Sequence, residues 1–188
     1  MRLRIACGIA ASAVLAFASQ SASAFSVNAS GTKHGYNLQA RQSILPMFST
    51  TFDFFQSSDN DAHGDKDRAY TAGLMFNPYV PFVDLSAGVR YQYQTTGYGD
   101  GGGVSVGGSA YVPTFLPMTS IGAYGFYTPK QLAHGDVHTS KEYGAQVRFN
   151  PIADVSVYGG YRVFSTEFDN EGSHRLDRGP FIGASVGF

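Results

Sequence analysis

Residues 82–94 read Phe82-Val83-Asp84-Leu85-Ser86-Ala87-Gly88-Val89-Arg90-Tyr91-Gln92-Tyr93-Gln94. Two kinds of residue alternate along this run without a break. Val83, Leu85, Ala87, Val89, Tyr91 and Tyr93 form one set; Asp84, Ser86, Gly88, Arg90 and Gln92 form the other. Successive side chains of an extended chain point to opposite faces, so the run predicts a strand with one apolar and one polar face. A soluble sandwich also alternates, with its apolar face turned into the core. Here charged and small residues share a face, and aromatics recur near the strand ends of the other. The segments run to roughly the 9–11 residues that carry a tilted strand across a bilayer. Lipid outside and a polar interior would produce this pattern.

The same rhythm recurs. In Glu142–Phe149, Tyr143, Ala145, Val147 and Phe149 oppose Glu142, Gly144, Gln146 and Arg148; in Val155–Ser165, Val155, Val157, Tyr161 and Val163 oppose Ser156, Tyr158 and Arg162. The candidate strands are Phe25–Gly31, Gly35–Gln42, Met47–Gln56, Ala69–Asn77, Phe82–Gln94, Gly102–Val112, Thr119–Thr128, Lys141–Phe149, Val155–Ser165 and Gly179–Phe188. The expected fold is all-β: a closed, antiparallel, up-and-down transmembrane β-barrel of about ten strands. The first two candidates are short, which leaves eight strands as the alternative.

The connections sort into two kinds. Ser43–Pro46, Pro78–Pro81, Pro113–Met118 and Asn150–Asp154 are short and hold most of the prolines, which lack the N–H a central ladder needs. Ser57–Arg68, Thr95–Gly101, Pro129–Ser140 and Thr166–Arg178 are longer and rich in Gly, Asp, Asn and His. Short periplasmic turns and longer polar outer loops are the asymmetry of bacterial barrels.

The amino terminus reads as an export signal. Met1, Arg2 and Arg4 precede an apolar run from Ile5 to Phe17, and Ala22-Ser23-Ala24 suits signal peptidase, giving a signal peptide over 1–24 and a barrel domain over 25–188. Cys7, the single cysteine, falls in the signal, so the mature chain is expected to carry neither disulfide nor thiol chemistry. Removing Arg2 and Arg4 leaves 11 basic against 14 acidic residues, a net charge of 11 − 14 = −3, with no basic cluster for a nucleic acid. The 12 Tyr, 15 Phe and 23 Gly, beside only 14% charged residues, set the chain apart from soluble domains, which average about 25% charged. The implied address is the outer membrane of a Gram-negative bacterium, reached by the Sec route.

The last strand closes on Ile182, Ala184, Val186 and Phe188, with Gly183, Ser185 and Gly187 opposite. Gly183, Val186 and Phe188 resemble the carboxy-terminal signal read by the barrel-assembly machinery. That machinery, outer-membrane lipid and lipopolysaccharide are the expected partners.

Three runs carry a family resemblance: Glu142-Tyr143-Gly144-Ala145-Gln146-Val147-Arg148-Phe149, Val155-Ser156-Val157-Tyr158-Gly159-Gly160-Tyr161-Arg162, and Asp177-Arg178-Gly179-Pro180-Phe181 with the closing Gly183–Phe188. Together they resemble the YfaZ family of small Gram-negative outer-membrane proteins. The resemblance implies the outer membrane and brings no established activity.

Chemistry is sparse. No metal-ligand spacing occurs and no cofactor is implied. The run Gly99, Gly101, Gly102 and Gly103 lacks the strand-to-helix step and Lys of a phosphate loop and reads as a flexible outer loop. His138, Ser140 and Glu142 would share one face of a strand, and the pair His138-x-Ser140 resembles that of the outer-membrane lipid A deacylase. The simpler reading is a polar junction between loop and strand. Arg41, Asp53, Asp84, Arg90, Glu142, Arg148 and Arg162 all fall on the expected lumen face, where unpaired charges would be costly; a network of ion pairs is expected. Side chains largely fill the interior of a barrel of about eight to ten strands, so a general-diffusion pore is not expected. The function read from the residues is a non-catalytic outer-membrane barrel with a structural or narrow-channel, porin-like role. A surface interaction module acting through the long loops, and a lipid-modifying enzyme using Ser140, are the other two readings.

Overall fold

The computed structural model describes residues 24–60, 66–168 and 172–188. Ten long strands form a single antiparallel meander: β1 (Phe25–Thr32), β2 (Gly35–Leu45), β3 (Phe48–Asn60), β4 (Lys66–Phe76), β5 (Val83–Thr96), β6 (Gly99–Pro113), β7 (Thr119–Thr128), β8 (Val137–Ile152), β9 (Val155–Phe168) and β10 (Gly172–Gly187). Each pairs with its neighbours in sequence, and β1 pairs with β10 from Ser26–Gly187 to Thr32–Phe181, which closes the barrel. Closure leaves none of these ten strands at an open edge, the condition for a sheet in lipid. The alternative of eight strands is set aside: β1 and β2 are full members of the wall. The export signal, with Ala22, lies outside the described residues. Ala24 is described, and its carbonyl accepts from the Ser43 N–H at 3.0 Å.

Alternation puts the apolar face outside. Leu38, Phe52, Leu74, Val89, Tyr91, Val106, Ile121, Tyr143, Val147, Val157, Ile182 and Val186 are exposed. Their inward neighbours Thr51, Arg90, Gln92, Ser105, Gln146 and Arg162 are buried. Polar residues inside and apolar residues outside invert a soluble protein, and they match a wall that faces lipid.

Phe25 and Phe188 bond each other's backbones, at 3.1 Å from the Phe25 N–H and 2.8 Å from the Phe188 N–H, and their rings stack at 6.4 Å. Their end of the barrel is the terminal end; the other is the distal end. Tight turns close the terminal end, with a short strand Tyr79–Val80 paired back onto β5.

The strands run farther distally than alternation indicates. Thr95–Gly101 is not a long loop: β5 and β6 continue to Thr96 and Gly99 around a two-residue turn, Gly97–Tyr98. Thr166–Arg178 is largely strand as well, with Thr166–His174 and Glu167–Ser173 paired. Beyond the lipid the outer face need not be apolar, so the period-two signal fades while the ladder goes on. Nor is the Gly99–Gly103 segment a flexible loop. It is strand, flanked by β5 and by a short strand Ala133–Gly135. A Cβ on Gly103 would lie 2.6 Å from the Leu132 carbonyl oxygen, so glycine is what lets the two backbones meet. Three prolines also fall within strands, the first of them, Pro113, as the last residue of β6. Pro151 sits where the β8–β9 register shifts, and Pro180 lies one residue beyond the last pair with β1, both places where a ladder bond is dispensable.

Candidate functional site: a filled lumen

Large inward side chains fit because small ones oppose them. A Cβ on Gly122 would stand 2.1 Å from a ring carbon of Tyr111, and one on Gly183 would stand 2.6 Å from Cζ of Tyr158. Glycine on one strand is thus the notch for an aromatic ring from the next. Gly183, read from the sequence as part of an assembly signal, has this packing duty too. Val186 and Phe188 of that signal face outward and are exposed.

All seven charged residues expected in the lumen line one cavity of about 160 Å³, together with Asn28, Gln39, Tyr111, Tyr124 and Tyr158. Only four of the seven pair among themselves. Arg90 is ion-paired with Glu142, and Arg148 Nη1 lies 3.8 Å from Asp84 Oδ2. Asp53 instead accepts from the Gln39 amide. Arg41 donates from Nε to Ser49 Oγ at 3.0 Å and from its fork to Asn77. Arg162 binds a residue outside the expected set: its Nε and Nη2 donate to Asp177 Oδ2 at 2.8 and 2.6 Å. Aromatic faces complete these sites. The Arg90 guanidinium lies 3.8 Å from the Phe126 ring centre, and that of Arg148 lies 4.4 Å from Tyr111.

The three arginine–carboxylate pairs form a gradient. Side-chain exposure is 29% and 62% for Arg148 and Asp84, 8% and 17% for Arg90 and Glu142, and 6% and 0% for Arg162 and Asp177. The lumen is therefore wet toward the terminal end and dry toward the distal end. At the dry end opposite walls touch. Thr166 on β9 donates to Gln94 Oε1 on β5 at 2.8 Å, although three strands separate them by the shorter way round. Gln92 and Gln94 both donate to Ser140 Oγ at 3.3 Å, Ser140 and Thr166 hydroxyls are 3.2 Å apart, and Ser105 and Thr128 hydroxyls are 2.6 Å apart. Beside this polar layer Phe55, Ala69, Phe164 and Leu176 form a buried apolar cluster, with Phe55 and Phe164 rings 5.9 Å apart. Above it His174 Nε2 stands 3.0 Å from Asp67 Oδ2, and its ring lies 4.1 Å from that of Tyr98.

Ser140 is thus a member of the polar layer. Its hydroxyl is engaged by two amides and a hydroxyl, and Glu142 is engaged by Arg90.

A family model described as YfaZ precursor matches residues 2–188. The chain belongs to the YfaZ family. The likeness seen in the runs from Glu142 onward therefore extends through the whole length of this YfaZ-family chain. No curated protein matches significantly. Among solved structures, a NanC porin in a rhombohedral crystal form aligns with a TM-score of 0.37 and 11% identity, covering 88% of this chain and 98% of the porin chain. A structure from a study of the in-meso crystallization of membrane proteins aligns with a TM-score of 0.37 and 12% identity, covering 88% and 83%. Likenesses this distant add nothing to the barrel seen directly.

Sequence reading missed Asp177, Gln94, Thr166 and the apolar cluster of this YfaZ-family lumen. The reason for Asp177 is a bulge: Phe164 pairs with Asp177 but Ser165 pairs with Arg175, so Leu176 is the extra residue. The bulge lets two successive residues, Leu176 and Asp177, both be buried, which alternation forbids. Gln94 closes a strand whose alternation was plain, and extending that pattern by one residue would have found it.

Proposed function

We propose that this chain is an outer-membrane barrel of structural role whose lumen is occluded, not an open diffusion pore. The observation carrying this reading is the contact between Thr166 and Gln94. Two residues from nearly opposite walls meet at hydrogen-bond distance in a layer with almost no solvent exposure. The Phe55–Phe164 cluster supports it, since apolar side chains beside that layer exclude a water file as well. The outward apolar belt supports a place in a bilayer. The basic, then apolar amino-terminal sequence supports export by the Sec route and assembly by the barrel machinery. In this reading the terminal end faces the periplasm and the distal end faces the lipopolysaccharide leaflet. The lumen residues serve as cross-links that hold the wall in one shape, with no chemical step assigned to them.

Liposome swelling tests this. Vesicles containing refolded protein should remain as impermeable to arabinose and glycine as protein-free vesicles. Swelling that scales with protein content would overturn the reading.

A further inference from the structure

Three of the four turns at the terminal end break a backbone preference; the fourth, Ala153–Asp154, has no residue at positive φ and carries a charge. Met47, Phe82 and Met118 have φ of 67°, 63° and 59°, the left-handed region in which Gly, Asn or Asp is the usual occupant. None of the three is small or polar, and all are exposed, Phe82 at 85%. The same turns also present Leu45, Tyr79, Leu116 and Phe115, the last at 94%. No charged residue occurs in 44–48, 78–82 or 115–118. Turns of the distal end are of a different kind: Lys33–His34, Gly97–Tyr98 and the segment with Lys130, Gln131 and Asp136.

The apolar turns run into the outer belt, with Thr114 and Thr119 the polar residues flanking Phe115–Met118. Met47 runs into Phe48, whose ring lies 5.3 Å from that of Phe76, and Phe76 leads to Tyr79. Phe115–Met118 joins exposed Val112 to exposed Ile121. A turn that ended in water would gain by exchanging these side chains for polar ones, and a turn residue at positive φ would gain by becoming glycine. Side chains kept against both preferences need an apolar surrounding to stabilise them. We propose that these three turns are embedded in the lipid boundary of the leaflet nearest the termini, as anchors that set the depth of the barrel. The inference rests on the reading of the outer belt as lipid-facing and extends that surface past the ends of the strands.

The chain contains no Trp, so each introduced Trp is a unique probe. Phe82→Trp and Phe115→Trp place it on exposed turn positions outside the long strands, and Val147→Trp places it in the belt. The three proteins are refolded into phosphatidylcholine vesicles brominated either near the headgroup or deep in the acyl chain, with iodide as the aqueous quencher. Val147→Trp should lose emission to deep bromine. Phe82→Trp and Phe115→Trp should be blue-shifted, lose emission to shallow bromine and resist iodide. If those two are quenched by iodide and untouched by bromine while Val147→Trp still reports lipid, the turns face water or a protein and the inference is overturned. If Val147→Trp also escapes bromine, the lipid-facing belt itself fails, and the turn inference fails with it.

Discussion

Asp177 is held on both oxygens: Oδ2 by the Arg162 guanidinium at 2.6 Å and Oδ1 by the Thr32 hydroxyl at 2.9 Å, so one carboxylate joins β9, β10 and β1. The Arg162 guanidinium also lies 5.7 and 5.5 Å from the ring centres of Phe55 and Phe181. This is the seam where the chain closes on itself, and it has almost no water to soften a lost partner.

Asp177→Ala should therefore destabilise the barrel by about 3–5 kcal/mol, because it strands a buried guanidinium. Arg162→Met combined with Asp177→Leu should cost less than the single change, since no charge is left unpaired. Urea titration followed by the heat-dependent gel shift measures both. A single variant as stable as wild type would show that the pair is not buried as described.

The glycine notches give a second expectation. Gly122→Val should cost roughly 1–3 kcal/mol by overpacking, and Tyr111→Ala in the same chain should recover part of the loss. Gly31→Ala should be nearly silent, since its Cβ would meet only the Gly35 carbonyl oxygen at 3.9 Å. The fraction of chain that folds to the heat-sensitive form separates the three.

Much of the wall was legible because lipid and lumen impose opposite demands on successive residues. Runs such as Val83–Gln94 and Glu142–Phe149 obey both without exception. What escaped was distal. Past the belt the outer face turns polar as well, so Thr166–Phe168 and Gly172–His174 give no apolar–polar alternation although they pair with each other. The seven charges were read as sharing a lumen, and they line one cavity. Their partners were harder to read, because pairing depends on stagger across the barrel: Arg90 finds Glu142 two strands beyond its neighbour, and Asp53 finds an amide. Asp177 was hidden by a bulge that no periodic scan registers.

Ser140 separates a structural from a chemical role. Its hydroxyl meets Gln92, Gln94 and Thr166, so Ser140→Ala should lower stability by about 1 kcal/mol and leave the lipid A profile of an overexpressing strain unchanged. Mass spectrometry of extracted lipid A checks the second half. A profile that depends on Ser140 would revive the enzymatic reading.

The Gln94–Thr166 contact should show up as energetic coupling. In a double-mutant cycle, Gln94→Ala and Thr166→Ala should be non-additive by about 0.5–1.5 kcal/mol. Strict additivity would mean that the two walls do not meet in solution.

Occlusion is tested most directly by planar-bilayer recording of the refolded protein beside the double variant Gln94→Ala/Phe164→Ala, which removes one side chain from the polar layer and one from the apolar cluster. The wild type should stay electrically silent across a wide voltage range while the variant opens discrete conducting events. A steady, ohmic conductance from the wild type would contradict the filled lumen.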